Sequence, residues 1–172
     1  MTGKRAHDFD LADLVYRTDV YPHDIEAVRA MVESTGFFSP DEVLISLELV
    51  DERLKKGERS DYHFIFAQER DGRAVGYTCF GPIPGTLSGF DLYWIVVSGD
   101  RQGRGIGREL LTRTERAAAL AGCTRMYAET SSRKLYEPTR KFYLASGYRR
   151  EAFLRDFYSP GDSKIIYVKT LP

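Results

Sequence analysis

The chain is poor in the residues that staple or metallate small proteins. Its 172 residues include two cysteines, Cys79 and Cys123, and three histidines, His7, His23 and His63. Two thiols form neither a disulfide framework nor a four-thiolate zinc site, and three histidines do not make a histidine-rich centre, so no metal is expected. No apolar run approaches the roughly 18 residues of a membrane span. The first residues, MTGKRAHDFD, are too charged for a secretory signal. The expectation is a soluble, cytoplasmic protein with no membrane partner. Repeats, low-complexity stretches and Ser/Pro-rich linkers are also missing, so one domain over residues 1–172 is expected, with residues 1–10 as a polar, flexible arm. Hydrophobic residues at 42% and charged residues at 29% exclude disorder.

The formal net charge is zero, but it is unevenly distributed. Residues 1–86 hold 10 Lys/Arg against 16 Asp/Glu, a net of −6, and residues 87–172 hold 15 against 9, a net of +6. A basic half suits a phosphorylated cofactor or a nucleic acid. It also suits a chain whose halves fold together and solvate their charges. No recognition-helix or RNA-binding motif accompanies the basic half, so no nucleic-acid partner is expected.

Leu14, Val15 and Tyr16 suggest a short first strand. A helix is expected from Asp24 as N-cap, with Ile25, Val28 and Val32 on one face, to a stop at Gly36. Ser39 and Glu42 form a capping box around Pro40 at the first helical position, and Val43, Leu47, Val50 and Leu54 repeat at helical spacing as far as Gly57. Tyr62, Phe64 and Phe66 alternate as a strand. Asp71-Gly72 marks a tight turn, and Ala74 to Phe80 resumes the strand pattern. Leu92 to Val97 is a continuous apolar run of the kind found in buried central strands. A helix follows from Gly105 to Ala121, with Ile106, Leu110, Ala117 and Ala121 inward. A strand at Met126–Glu129, a helix at Pro138–Ser146 and strands at Tyr148–Phe153 and Lys164–Val168 complete the order βααβββαβαββ. This is an α/β fold with a mixed sheet flanked by about four helices.

The most informative segment runs from Val97 through Gln102-Gly103-Arg104-Gly105-Ile106-Gly107. Three alternating glycines between a buried strand and an amphipathic helix let backbone approach a ligand closely. The first amides of that helix have no partner within it and sit at its positive end, which suits a phosphate. Arg101, Arg104 and Arg108 add charge nearby. A P-loop needs Gly-Lys-Ser/Thr where Arg108-Glu109 stands, and a dinucleotide fingerprint needs glycine at Arg108.

Gln102-Gly-Arg-Gly105-Ile-Gly107 resembles the Q/R-x-x-G-x-G/A signature of the GNAT acetyltransferase superfamily. Phe142-Tyr143-Leu-Ala-Ser-Gly147-Tyr148, about 36 residues later, resembles its second signature, and Ile95-Val96-Val97 resembles its central strand. The likeness is strong over residues 90–155 and extends to residues 12–90 only in element order. It implies a sheet splayed at the cofactor site, acetyl-CoA as cosubstrate, and transfer of acetyl to a primary amine. The pyrophosphate would lie on amides of Gln102, Gly103, Arg104, Gly105, Ile106 and Gly107, and the pantetheine arm along Ile95, Val96 and Val97. Tyr136 and Thr139 depart from the family's usual Asn and Ala, so neither is assigned a pantetheine contact.

Acyl transfer to an amine needs a neutral amine and a protonated leaving thiolate. An amine of pKa near 10.4 is neutral in only about one molecule in a few thousand at pH 7. The resemblance makes Tyr143 the acid for the departing sulfur; packing of a short helix also explains it. Asp91, on or just before the central strand, and Glu129, at the end of the next, are the candidate bases. Either needs burial to raise its pKa or a water relay. Capping of a glycine turn and an ion pair with an arginine are their respective plain explanations. Trp94 fills core or lines the cleft, the Ser131–Lys134 turn either touches a CoA phosphate or, as the plainer reading, is a solvated loop, and the aromatic run Asp156–Asp162 either overhangs the acceptor or packs an edge strand. The expected activity is an N-acetyltransferase acting on a small-molecule amine such as an amino acid or amine metabolite. The alternative is a non-catalytic acetyl-CoA-binding or scaffold module of the same fold, and a homodimer is left open.

Overall fold

The computed structural model describes residues 10–172; the expected arm at 1–10 falls almost wholly outside them. The elements are β1 (Val15–Arg17), α1 (Asp24–Ser34), α2 (Pro40–Lys56), β2 (His63–Gln68), β3 (Ala74–Pro82), β4 (Gly89–Val97), α3 (Ile106–Leu120), β5 (Arg125–Ser131), α4 (Glu137–Ala145), β6 (Arg149–Ser159) and β7 (Asp162–Thr170). This is the order expected from the sequence. The seven strands form one sheet in the order β1-β2-β3-β4-β5-β7-β6. All neighbours are antiparallel except β4 and β5.

Each face of the sheet carries its own core. Val28, Met31 and Val32 of α1 and Val43, Leu47 and Val50 of α2 bury against Phe64, Phe66, Tyr77 and Val96 on one face. Ile106, Leu110, Leu111 and Ala118 of α3 and Tyr143 of α4 bury against Ile65, Val75, Leu92 and Ala128 on the other. Cover on both faces explains why β2 is buried from Phe64 to Ala67 without alternating. The fully buried stripe of α3 is Ile106, Leu110, Leu111, Thr114 and Ala118; Ala117 packs half-buried against the same core, while Ala121 is exposed and lies off it. No helix among the described residues is long and apolar enough to cross a membrane.

Ser39 and Glu42 make the expected capping box at α2, with both reciprocal hydrogen bonds present. Asp24 is not the N-cap of α1: the helix starts on it, and its fully buried carboxylate accepts from the Tyr21 amide at 2.7 Å and from Arg17 Nη1 at 2.9 Å. The Arg17 guanidinium lies 4.2 Å from the centre of the Phe66 ring. A charged fork thus fixes the β1–α1 turn where a simple cap was expected. β4 begins at Gly89, three residues earlier than its apolar run suggests, because pairing with β3 and β5 holds Gly89–Asp91 extended despite weak strand propensity.

Candidate active site

The central feature is a split in the sheet. β4 and β5 pair from Gly89↔Arg125 to Leu92↔Ala128 and then separate. Beyond that point β4 is held only by β3, and β5 only by β7. The split coincides with a bulge: Cys79 pairs with Trp94 and Phe80 with Leu92, leaving Tyr93 as the extra residue. An extra residue resets the pleat. Phe90 and Leu92 before it, and Ile95 and Val97 after it, all turn side chains toward α3, while Trp94 and Val96 face α1 and α2.

The exposed edges of the split can be followed group by group. The Ser98 amide donates to Val75 O of β3 at 2.9 Å, so Ser98 and Val96 turn their backbone groups to β3. By antiparallel alternation Ile95 and Val97 turn theirs into the split. Val97 O accepts from Gln102 Nε2 at 3.1 Å, leaving Ile95 as the residue with both groups open to an added strand. On the other side the Ser132 amide donates to Ser163 O at 2.8 Å, so Glu129 and Ser131 face the split, and Ser131 O accepts from Arg140 Nη1 of α4 at 2.8 Å. Val96 spends its backbone on β3 and its side chain in the core.

At the open end of the split lies the glycine loop. Gly103 and Gly105 adopt φ of 74° and 85°, a region that favours glycine. Gly105 is the N-cap of α3 and supplies no side-chain cap, so the first amides of this 15-residue helix are not consumed by a capping side chain. Gly99 docks the loop on α1: its amide donates to Ser34 Oγ at 3.0 Å, and a Cβ there would sit 2.5 Å from Ser34 O. A methyl on Gly107 would meet Phe142 and Val97 at 3.7 Å each, so α4, the start of α3 and the end of β4 converge here. Arg104 and Arg108 are exposed beside the loop. Arg101 turns away, with its Nε 2.8 Å from Glu69 and its Nη1 2.9 Å from Asp100; its charge is spent on holding the loop to the β2–β3 turn.

At the closed end, Asp91 and Glu129 line one cleft of about 260 Å³ with Ile83, Thr86, Tyr127 and Ile166. Burial raises the Asp91 pKa to about 6, with help from the Glu129 charge and opposition from Lys164. Asp91 is thus a strand residue in a cleft wall, not a turn cap. Glu129 is half exposed and paired with Lys164 Nζ at 2.8 Å, so its ion partner is a lysine where an arginine was the plain expectation. Lys164 also lies 3.9 Å from the centre of the Phe157 ring.

Tyr143 lies on the opposite face, 4% exposed, with ring centroids 5.4 Å from Tyr148 and 5.6 Å from Tyr167. Burial pushes its pKa well above the usual phenol value, so it stays protonated. The Tyr148 amide donates to Tyr143 O at 3.0 Å and the Gly147 amide to Leu144 O at 3.1 Å, the paired bonds with which a glycine-terminated helix closes. Phe90 and Leu92 point toward this face, so Asp91 between them points away from it. The two candidate groups therefore lie on opposite faces of the sheet.

Trp94 meets Phe38 at a tilt, with ring centroids 4.9 Å apart. Tyr136 is buried and donates to Phe37 O at 3.2 Å. The Ser131–Lys134 turn is solvated at Arg133 and Lys134, which are exposed, but tied down at its start. Ser131 bonds Asp162, Arg133 Nε lies 3.0 Å from Asp162 Oδ2, and the Ser163 amide donates to Ser132 Oγ at 2.8 Å. Tyr127 and Ile166 line the cleft, and Lys164 pairs with Glu129 in its wall, without having been singled out. Their signal lies in the register Glu129↔Ile166 and Tyr127↔Val168, which links segments about 40 residues apart. Among the described residues no group of three His, Cys, Asp or Glu side chains is arranged to hold a metal.

The profile of the Acetyltransferase (GNAT) family matches residues 28–148. A crystal structure of a Desulfovibrio desulfuricans protein assigned to the GNAT family as an acetyltransferase superposes with a TM-score of 0.90 and 46% identity, over 92% of this chain and 99% of that one. An aminoglycoside 6′-N-acetyltransferase complexed with coenzyme A gives a TM-score of 0.72 at 20% identity, over 92% and 98% of the two chains. The ribosomal-protein-S18-alanine N-acetyltransferase of Escherichia coli gives 0.71 at 15%, over 92% and 94%. The last two are likenesses of fold alone. No curated protein matches the sequence. With its profile match spanning both signatures and a split sheet of the same architecture, the chain belongs to the GNAT family of acetyltransferases.

Proposed function

We propose that the protein is an acetyl-CoA-dependent N-acetyltransferase that passes the acetyl group directly to the primary amine of a small molecule. The observation that carries this reading is the parting of β4 and β5 after Leu92 and Ala128, with uncapped α3 amides at one end and Asp91 and Glu129 at the other. The fit to a pantetheine arm rests on Ile95, whose backbone N–H and C=O face the split as an added strand requires, and on Val97 beside it. The fit to a pyrophosphate rests on the amides from Gly103 to Gly107 and on the positive end of α3. Gln102 contributes by closing the loop onto Val97, and Arg104 by charge.

Acetyl-CoA supplies the acyl group as a thioester. Asp91, at a pKa of about 6, is ionised at neutral pH yet far more basic than an ordinary carboxylate, so it accepts the proton of the incoming ammonium through the cleft. Tyr143, kept protonated by burial, gives its proton to the departing sulfur, and the second proton, released by the nitrogen as the amide forms, restores the phenol. Glu129 raises the basicity of Asp91 by its charge and, through its pair with Lys164, shapes the mouth of the cleft. Asp91 and Glu129 line the cleft against the single ammonium of Lys164, which favours an acceptor that arrives as a cation.

The test is a pair of variants assayed with a panel of primary amines. Tyr143→Phe is expected to bind acetyl-CoA as the parent does and to lose about 10- to 1000-fold in kcat, and Asp91→Asn about 100-fold or more. Tight acetyl-CoA binding with no turnover of any amine by the parent would instead make the protein a binding module.

A further inference from the structure

The cleft that holds Asp91 is a patch of sheet outside both helix-covered cores. Asp91 of β4 is the register partner of Tyr127 on β5, and Glu129, two residues on, is the partner of Ile166 on β7. Partners across a sheet and alternate residues along a strand share a face, so these four side chains stand together on the face away from Tyr143. Ile83 joins them from the β3–β4 hairpin, where its amide donates to Gly89 O at 2.8 Å. Ile83, Tyr127 and Ile166 belong to neither buried core, and with Ala128 they give the cleft mainly apolar walls.

The polar groups of the lining differ in what they have left to offer. Thr86 Oγ1 donates to Ile83 O at 2.8 Å and accepts from the Gly89 amide at 3.2 Å, so its hydroxyl is spent inside the hairpin. Glu129 is matched by Lys164 Nζ at 2.8 Å, and that ammonium also lies 3.9 Å from the centre of the Phe157 ring. Tyr127 adds a ring and one hydroxyl. Among the described residues the Asp91 carboxyl has no hydrogen bond or ion pair. The cleft therefore offers one unmatched carboxylate, no spare cation and an apolar surround. A cavity of about 150 Å³ takes a benzene molecule, so the cleft of about 260 Å³ takes a body of about ten non-hydrogen atoms.

We propose that the acceptor is a hydrophobic primary monoamine, with its ammonium at Asp91, its apolar body against Ile83, Tyr127 and Ile166, and neither a carboxylate nor a second ammonium. This rests on the protein being an N-acetyltransferase. The nitrogen forms the C–N bond as the thioester C–S bond breaks; of the two protons the ammonium gives up, one leaves through Asp91 and one ends on the CoA thiol. The carboxylate of an α-amino acid would be set beside Asp91 and Glu129 with no cation to meet it. The second ammonium of a diamine would find Glu129 already paired.

The test compares initial rates with acetyl-CoA for two matched pairs, 2-phenylethylamine against phenylalanine and pentylamine against pentane-1,5-diamine. In each pair kcat/KM is expected to be at least about tenfold higher for the monoamine. Lys164→Met frees Glu129 and should raise the diamine about tenfold relative to pentylamine. Phenylalanine or the diamine turned over as well as its monoamine would overturn the proposal and leave the N-acetyltransferase reading standing. An unchanged diamine ratio in folded Lys164→Met would overturn the part given to the Glu129–Lys164 pair. Acetyl-CoA binding with no turnover of any amine would overturn the proposal and the reading together.

Discussion

Asp91 meets two opposed demands at the level of a single residue. Its pKa of about 6 lies above the value of 3.8 it has when unfolded. The native state therefore binds the proton more tightly between those values, and this carboxyl's contribution to stability falls as pH rises from about 4 to about 6. Above pH 6 the protein carries the cost of a half-buried anion, about 1 kcal/mol once solvent screening is allowed for. Asp91→Asn should accordingly unfold at the same or a slightly higher temperature than the parent at pH 8 while turning over far more slowly. In the parent, kcat/KM should rise with pH through an inflection near 6. A profile flat from pH 5 to 7, with Asp91→Asn fully active, would assign the proton to another acceptor. Asp24 shows the opposite balance. Its fully buried carboxylate is matched to Arg17 at 2.5 Å, so Asp24→Ala, which strands a buried guanidinium, should cost about 3–5 kcal/mol in denaturant unfolding. A loss under 1 kcal/mol would mean water reaches that site.

At the level of elements, what was legible in the sequence is what local physics specifies. The capping box at Ser39 and Glu42 declares the start of α2. Loss of its hydroxyl in Ser39→Ala should cost about 1 kcal/mol and a few degrees of Tm, with acetyl-CoA affinity unchanged. The β2–β3 turn at Asp71-Gly72 and the glycine-ended α3 and α4 were equally readable. The departures arise where tertiary pairing outweighs local pattern. Gly89–Asp91 is drawn into β4 by two neighbours, the Tyr93 bulge follows from the register with β3, and the inward stripe of α3 turns to Leu111 and Thr114. Tyr143, Asp91 and Glu129 could be named from motif and position. That Asp91 and Glu129 share a cleft on the face opposite Tyr143 could not, because the parting of β4 and β5 depends on strands brought together across the α3 connection. The same reason hid Lys164 and Ile166.

At the level of the whole molecule, the charge asymmetry of the chain is only partly a ligand signal. Arg73 with Asp100, at 2.8 Å, and Arg101 with Glu69 tie the acidic first half to the basic second half across the base of the glycine loop, so some of that charge is spent on assembly. Arg104 and Arg108 are exposed beside the start of α3, so the basic half also puts charge next to the glycine loop. The acidic groups gather around the other end. This distribution is what the proposed reaction, between a polyanionic donor and a cationic amine, asks of the two ends.

The central claim is that the donor lies on the loop and in the split, and calorimetric titration with acetyl-CoA of the parent and of Gly105→Val tests it most directly. Gly105 holds φ of 85°, and a Cβ there would meet Leu11 Cδ1 at 3.1 Å, so valine strains the N-cap of α3 and spoils the amide cradle. One-to-one binding near micromolar by the parent, about −8 kcal/mol, weakened at least about a hundredfold in a folded Gly105→Val, is the predicted result. Binding that is absent in the parent at millimolar acetyl-CoA, or equally tight in the folded variant, would contradict it.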